Sequence, residues 1–218
     1  EGWVSNTPTN GYKQFTCSYN RAAIDLHQTI TNLPAGDYKV TVHTYYRAGY
    51  WDEEWARKEA GEETHLTTLY AETPDKTCEI PVMNLWEGAL DAPIEGKNFY
   101  TLPNGKFAPD GTSPTAAAFE AGYYLNELDF TVANDGSNVT IGLKKTEVLA
   151  NDYEVVGEWR LYYYGKSTAI EGVSEDKAAA TAVATGFYSL DGKRLARPQQ
   201  GVNIVKMSDG RVLKVLVK

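Results

Sequence analysis

Several short stretches of the chain alternate between apolar and polar residues with a period of two, which is typical of β-strands that bury one face. Residues rich in turn formers, mainly Gly, Pro, Asn and Asp, separate these stretches. The pattern predicts an all-β protein of short antiparallel strands, because an α/β protein would need repeated helical crossovers. The alternating stretches are residues 22–30, 37–46, 66–70, 77–82, 127–132, 139–143 and 158–164.

Two of these stretches predict which side chains face the core. In residues 37–46, Tyr38, Val40 and Val42 share one face with Thr44 and Tyr46, and we expect the opposite face, from Lys39 to Tyr45, to be wetter. The last of the stretches has an apolar and a polar side in the same way. One side of residues 158–164 carries Trp159, Leu161 and Tyr163, and the other carries Arg160, Tyr162 and Tyr164.

Turn residues predict hairpins at three places. Asn134-Asp135-Gly136 separates two alternating stretches, and Asp191-Gly192 and Asp209-Gly210 each lie between apolar runs near the end of the chain. Asp-Gly supplies the positive φ angles of a tight type I′ turn. We therefore expect a jelly-roll β-sandwich over residues 1–165, a small polar linker over 166–185, and a small C-terminal β-hairpin module over 186–218.

Two helices and one long connection interrupt the strands. Residues 52–63 have acids in the first turn, pairs four apart such as Glu53/Arg57, and Gly61 as a stop, which predicts a solvated helix. Ser113 as N-cap, Pro114 in the first turn and Gly122 at the end predict a second helix. The connection from 84 to 116 contains four aromatic residues, and loops of this length are usually functional or mobile.

Charge and composition exclude several classes of protein. The chain of 218 residues has a net charge of −8 and no run of Lys or Arg, which opposes binding to nucleic acid or to anionic membranes. No stretch reaches the roughly 18 apolar residues of a membrane span. The chain opens on Glu1-Gly2-Trp3 without a signal peptide, and we interpret it as a mature or trimmed protein.

The sequence contains no catalytic or metal-binding motif that we recognise. Cys17 and Cys78 do not have zinc-ligand spacing, and they are either bridged or free and buried. The histidines are scattered, and no oxygen-rich loop supports a structural calcium site. We therefore predict no catalytic residue, no metal ligand and no cofactor.

Segments spread over residues 33–165 resemble, in order and spacing, the galactose-binding-like sandwich domains of secreted bacterial glycan-degradation proteins. Members commonly have an Asp-Asn pair before the aromatic residue of the last strand, whereas this chain has Gly157-Glu158 before Trp159. No role of that pair is therefore carried over. The segments that carry the resemblance are Leu33-Pro34-Ala35-Gly36-Asp37-Tyr38, Tyr46-Arg47-Ala48-Gly49, Leu69-Tyr70-Ala71, Phe119-Glu120-Ala121-Gly122-Tyr123-Tyr124, Thr140-Ile141-Gly142-Leu143 and Arg160-Leu161-Tyr162-Tyr163-Tyr164-Gly165.

The C-terminal residues 186–218 resemble the sorting modules that end exported bacterial proteins. The resemblance rests on Gly186-Phe187-Tyr188-Ser189-Leu190-Asp191-Gly192-Lys193 and on the apolar run Val212-Leu213-Lys214-Val215-Leu216-Val217. It implies a secreted or outer-surface location.

Aromatic residues in the connections predict a carbohydrate-binding module. Flat rings stack on the apolar face of a sugar, and a few fixed polar groups bond its hydroxyls. For a carbohydrate-binding module, the expected partner is an oligo- or polysaccharide. The alternative hypothesis is a structural module of a surface assembly, and its expected partner is a surface protein. A glycoside hydrolase is a third hypothesis, for which the acids Asp52, Glu53 and Glu54 are the nearest candidates. The predicted ligand-binding residues are Arg47, Tyr50, Trp51, Asp52, Trp55, Asn84 and Trp86.

Overall fold

A computed structural model describes residues 2–7, 11–13, 16–166, 184–189, 192–208 and 212–217. The chain forms two compact units, Glu1–Ser167 and Thr168–Lys218. Most of the predicted linker, residues 167–183, and the turn residues Asp191, Asp209 and Gly210 lie outside the described residues.

The described chain is mostly β-structure, with antiparallel pairing between all named strands and two short helices. In chain order the elements are β1 (Val4–Ser5), β2 (Gly11–Lys13), β3 (Thr16–Asn20), β4 (Ile24–Leu33), β5 (Gly36–Arg47), α1 (Trp51–Ala60), β6 (Thr68–Glu72), β7 (Thr77–Pro81), β8 (Phe99–Thr101), β9 (Phe107–Pro109), α2 (Thr112–Glu120), β10 (Leu125–Val132), β11 (Ser137–Lys145), β12 (Tyr153–Gly165), β13 (Ala184–Tyr188), β14 (Arg194–Leu195), β15 (Gly201–Met207) and β16 (Val212–Val217).

Two five-stranded sheets form most of the first unit, and β8 and β9 pair as a separate two-stranded sheet. Their strand orders are β1-β4-β11-β6-β7, which we call sheet A, and β10-β5-β12-β3-β2, which we call sheet B. Consecutive strands often cross between the sheets, as β4 and β5 do, and as β10 and β11 do. The hairpin predicted at Asn134-Asp135-Gly136 is therefore wrong: the turn exists, with Gly136 at φ +81°, but its flanking strands belong to different sheets.

One hydrophobic core lies between the two sheets. It contains Val40 and Val42 of β5, Leu128 of β10 and Leu143 of β11, and each of these is at most 5% exposed. The predicted alternation of residues 127–132 is confirmed, since every second residue of β10 is buried. Burial of a Val or Leu side chain stabilises a fold by about 1.5–3 kcal/mol relative to exposure, so this shared layer holds the two sheets together.

A second hydrophobic cluster covers part of the opposite face of sheet B. Tyr45, which we expected on a wetter face, is 1% exposed and packs on Phe119 of α2 and on Tyr124. Its hydroxyl lies 3.0 Å from Oγ1 of Thr115, so the buried phenol keeps a hydrogen-bond partner. The prediction failed because α2 and the connection between β7 and α2 fold over that end of the strand. Trp86, Leu90 and other residues of the connection complete the cluster.

The two helices were placed correctly, but their local contacts differ from the prediction. Gly61 ends α1 in the left-handed conformation at φ +70°, as expected. Arg57 of the helix pairs with Glu54 rather than with the predicted Glu53, and Glu54 is buried, so α1 is not fully solvated. The N-cap of α2 is Gly111 and not Ser113. No helix in the described part of the chain is long and apolar enough to cross a membrane.

The second unit contains one four-stranded antiparallel sheet in the order β14-β13-β15-β16. The predicted strands around Asp191-Gly192 do pair, with Tyr188 opposite Arg194, and Gly192 has a φ of +81°. The strands around Asp209-Gly210 also pair, with Lys206 opposite Val212. The expected hairpins therefore combine into one small sheet.

Both cysteines are free, which settles the alternative that the sequence left open. Cys17 of β3 and Cys78 of β7 lie in different sheets and pack against the core. Burial raises the pKa of the Cys17 thiol to about 11, so its reactive thiolate is scarce at neutral pH.

We expect the unreduced protein to take up two alkyl groups when it is alkylated in denaturant, and Cys17 to react slowly in the folded state. Mass spectrometry of the alkylated protein measures both. Uptake of no label without reductant would show a disulfide and would contradict the structure.

Candidate functional site

The outer face of sheet B carries a groove of about 700 Å³, which we call the sheet groove. Strands β5, β10 and β12 form its floor, and the end of α2 forms a wall. Because side chains alternate across a strand, residues of these three strands that lie opposite the core line the groove, from Lys39 to His43 on β5, Leu125 and Glu127 on β10, and Glu158 to Tyr164 on β12. Its lining residues are Lys39, Thr41, His43, Phe119, Glu120, Gly122, Leu125, Glu127, Glu158, Arg160, Tyr162 and Tyr164.

Strand register arranges these side chains in rows across the groove. Lys39 lies opposite Tyr162 on one side, and Thr41 lies between Glu127 and Arg160. Tyr162 and Tyr164 are 40% and 64% exposed, and they occupy the same face of β12. The groove therefore has a platform of two solvated phenol rings beside a row of polar groups.

Ion pairs fix the charged groups of the sheet groove. Lys39 Nζ lies 3.4 Å from Glu127 Oε2, and Arg160 donates to Glu158 Oε2 at 2.9 Å. His43 shares a hydrogen bond of 2.8 Å with the Tyr123 carbonyl. Two cations and three carboxylates line the groove, so their charges nearly cancel.

The outer face of sheet A has a groove of similar size, about 710 Å³, but of different character. Thr29, Thr68 and Thr140 contribute hydroxyls, and Tyr70 is the single aromatic residue among its lining side chains. Among the described residues that line this second groove, there is no pair of exposed rings like that of the sheet groove.

The residues predicted to bind a ligand do not form one surface. Arg47 is half-buried, and its guanidinium carbon lies 4.7 Å from the centre of the Trp51 ring and 5.7 Å from that of Tyr50. Trp51 stacks on Tyr100 with ring centres 5.5 Å apart, and Lys58 Nζ lies 4.6 Å from the ring centre of Trp55.

Neighbouring side chains of the same chain therefore cover part of both the Trp51 and the Trp55 ring. The two indoles are only partly exposed, and both pack against the second cluster. Tyr50 is 46% exposed and is the most accessible of the predicted rings. Asp52 is exposed in the first turn of α1, where its Oδ1 accepts from the Glu53 amide at 3.1 Å.

Asn84 and Trp86 are buried and cannot contact a ligand at the surface. Asn84 has no exposed area and packs near His65, whose Nε2 lies 3.3 Å from Asn84 Nδ2. Trp86 is 7% exposed and fills the second cluster. The long connection folds inward, so these two side chains are buried rather than displayed at the surface as the sequence analysis expected.

Arg47 and Tyr50 do border a smaller cavity of about 470 Å³, which we call the loop pocket. It brings together the ends of β3 and β5 and the residues that precede β12. Its lining residues are Asn20, Arg21, Arg47, Tyr50, Asn151 and Asp152.

A buried charged cluster adjoins the loop pocket through Asp152. Lys145 and Asp152 are each 1% exposed, and Lys145 Nζ lies 3.0 Å from Asp152 Oδ2. Glu154 has no exposed area, and its Oε2 accepts from Thr67 Oγ1 at 2.5 Å. Burial raises the pKa of Glu154 to about 7, against the opposing effects of the Thr67 hydrogen bond and the Lys145 charge.

Among the described residues, no group of three or more His, Cys, Asp or Glu side chains is arranged to hold a metal ion. No protein-family model and no curated protein sequence matches the chain. The fold shows a β-rich protein with several antiparallel sheets, and no family is identified.

The alternation along β12 was the signal for the sheet groove. It placed Arg160, Tyr162 and Tyr164 on one side of the strand, opposite the core. The loop pocket had a weaker signal, because its residues come from three distant parts of the sequence.

Proposed function

We propose that the chain is a non-catalytic glycan-binding module of a secreted or surface-displayed bacterial protein, and that a neutral oligosaccharide lies in the sheet groove. The observation that carries this proposal is the exposure of two tyrosine rings on one face of β12, at 40% for Tyr162 and 64% for Tyr164. Large aromatic side chains are usually buried, so two solvated rings at the floor of a groove favour a binding surface.

The spacing of the two rings suits a chain of sugars. Residues two apart on a strand are separated by roughly 7 Å, so Tyr162 and Tyr164 can contact different parts of one oligosaccharide. Each ring offers an apolar face for the sugar C–H groups and a hydroxyl for hydrogen bonding.

The polar residues of the sheet groove support a neutral ligand. Thr41, Glu127 and Arg160 lie in one row and offer both donors and acceptors. Because Lys39 and Arg160 already pair with Glu127 and Glu158, an acidic sugar would find no unpaired cation of lysine or arginine among the lining residues. A neutral sugar requires only hydrogen bonds and stacking.

The finer fold assignment is part of the same proposal. We infer a galactose-binding-like jelly roll for the first unit, supported by the way consecutive strands alternate between sheets A and B. We infer a sorting module for the second, supported by its separation from the first as a compact unit. Together these two inferences support the proposed location on the outer cell surface or in the medium.

A glycan array followed by calorimetry tests the proposed function. We expect neutral oligosaccharides to bind, and we expect Tyr164→Ala or Tyr162→Ala to weaken the best binder by about tenfold, since loss of a stacking contact costs about 1–2 kcal/mol. Tyr163→Ala is the matched control, because Tyr163 lies on the other face of β12 and packs on Tyr38 at 4.9 Å between ring centres.

The control variant should keep affinity within twofold even if it lowers stability. Incubation with the bound oligosaccharide should release no new reducing ends, as expected for a binding module. Equal losses for Tyr163→Ala and Tyr164→Ala, or an array without a binder, would refute glycan binding in the sheet groove.

A further inference from the structure

The loop pocket is a second polar cavity, and it shares no residue with the sheet groove. Its walls come from the turn after β3, the end of β5 and the turn before β12. Two guanidinium groups, from Arg21 and Arg47, border it. The chain has a net charge of −8, so the presence of two arginines beside one cavity contrasts with its overall acidic character.

The backbone of Arg21 is held in an unfavourable conformation at the mouth of the loop pocket. Its φ is +50°, in the left-handed region that side chains other than glycine rarely adopt. The Arg21 amide donates to the Asp152 carbonyl at 3.2 Å, and its Nη2 donates to Asn151 Oδ1 at 3.4 Å. Such strain persists where the surroundings enforce it, and it is concentrated at functional sites.

Aromatic rings hold the guanidinium of Arg47. Its central carbon lies 4.7 Å from the centre of the Trp51 ring and 5.0 Å from that of Tyr153. One of its N–H groups donates to the Gly49 carbonyl. A guanidinium has five N–H donors in a fixed plane, so a stacked arginine with one such bond presents further donors in a defined direction.

Neither arginine has a carboxylate partner within 4.0 Å in the part of the chain that the structure describes. The nearby carboxylates have closer cations: Asp152 pairs with Lys145 at 3.0 Å, and Glu54 pairs with Arg57 at 2.9 Å. The loop pocket therefore has two positive groups available to an external anion.

One of the residues that line the same pocket, Asp152, carries a buried acceptor without a partner. Asp152 is 1% exposed, and its Oδ1 has no hydrogen-bond partner, while its Oδ2 accepts from the Leu149 amide. A buried polar atom without a partner is costly, and a ligand hydroxyl that donates to it would remove that cost.

We propose that the loop pocket binds an acidic sugar, a uronic acid unit, with its carboxylate on Arg21 and Arg47 and one of its hydroxyls donating to Asp152. Planar carboxylates match the fork of a guanidinium, and such charge-assisted bonds are about twice as strong as neutral ones. The choice of a sugar as carrier of the anion rests on the proposed function, whereas the capture of an anion by the two arginines does not.

Three small probes test the site: D-galacturonate, D-galactose and acetate. Titrations of the full chain, followed by NMR of the arginine Nε–H signals, report binding directly at Arg21 and Arg47. We expect D-galacturonate to shift both signals and to bind at least about tenfold more tightly than D-galactose, because a hydrogen bond to a charged group is worth about 1.5–3 kcal/mol. It should also bind more tightly than acetate, which lacks the hydroxyls.

Arg21→Gly is the informative variant, because glycine accepts a φ of +50° and the fold should be kept. We expect it to lose D-galacturonate binding by about tenfold or more, with an unchanged or raised melting temperature. Arg197→Gln is the control, because Arg197 is an exposed arginine of the second unit that lines neither the loop pocket nor the sheet groove, and it should leave D-galacturonate affinity unchanged.

Equal affinity for D-galacturonate and D-galactose, no binding of either, or unchanged affinity in Arg21→Gly would overturn the proposal. Equal affinity for acetate would overturn the assignment to a sugar. Because Tyr164→Ala alters only the sheet groove, its effect on neutral glycans separates a failure here from a failure of the proposed function.

Discussion

Lys145→Met is expected to destabilise the first unit by about 3–5 kcal/mol, the largest loss we predict for a single substitution. The reason is that Lys145 is the buried cation beside Asp152, at 3.0 Å, and its charge also acts on Glu154. Methionine fills similar space but leaves buried carboxylates without a counter-charge. Urea denaturation at pH 7, followed by tryptophan fluorescence, measures the loss.

A surface lysine provides the control for this prediction. Lys106 Nζ lies 3.1 Å from Asp91 Oδ1, but both side chains are largely exposed, at 46% and 85%. Exposed ion pairs contribute at most about 1 kcal/mol, so Lys106→Met should change stability little. Similar losses for the two variants would show that the burial of Lys145 has no energetic consequence.

Stability should fall as pH rises from about 4.5 to 7, and Glu154 should cause the fall. Burial raises the pKa of Glu154 to about 7 in the folded protein, whereas an unfolded glutamate titrates near 4.5. Between these values the folded state holds a proton that the unfolded state has released, so raising the pH favours unfolding. A shift of this size corresponds to about 3 kcal/mol in total.

The comparison with Glu154→Gln isolates this effect from the other titrating groups. Glutamine keeps an oxygen that can accept from Thr67, but it does not titrate. The stability of the protein relative to Glu154→Gln should therefore be highest below about pH 4.5 and lowest above about pH 7. A difference between the two proteins that is constant with pH would contradict the raised pKa.

The strands were predictable from the sequence because their periodicity reports burial directly. The alternation in β10 was confirmed residue by residue, and in β12 it holds from Glu158 to Tyr162, whereas Tyr163 is 47% exposed on the side predicted to be apolar. The failures have a common physical cause. Tyr45 and Trp86 are buried by α2 and the long connection, whose folding depends on tertiary contacts rather than on local pattern.

The turn residues predicted where the chain reverses but not which strands pair. Gly136 does allow the chain to reverse, but the turn cannot specify which sheet the next strand joins. For the same reason the loop pocket was only partly predicted. Arg47 and Tyr50 were named from their local sequence, whereas Arg21 and Asn151, which are 130 residues apart, meet only through the pairing of β12 with β3.

The sheet groove shows the same division between local pattern and tertiary structure. The sequence places Tyr162 and Tyr164 on the polar side of β12, but it does not show that this side stays open beside α2. The position at which α2 packs decides that the end of sheet B near Tyr45 is buried and that the end near Tyr162 and Tyr164 is exposed. That position depends on contacts such as Tyr45 with Phe119, which have no local signature.

Intermolecular nuclear Overhauser effects between a bound neutral oligosaccharide and the tyrosine rings test glycan binding in the sheet groove most directly. With assigned tyrosine ring protons, we expect the sugar C–H protons to show effects to Tyr162 and Tyr164 and none to Tyr163. An oligosaccharide that binds but shows effects only to tyrosines outside the sheet groove would contradict the proposed site.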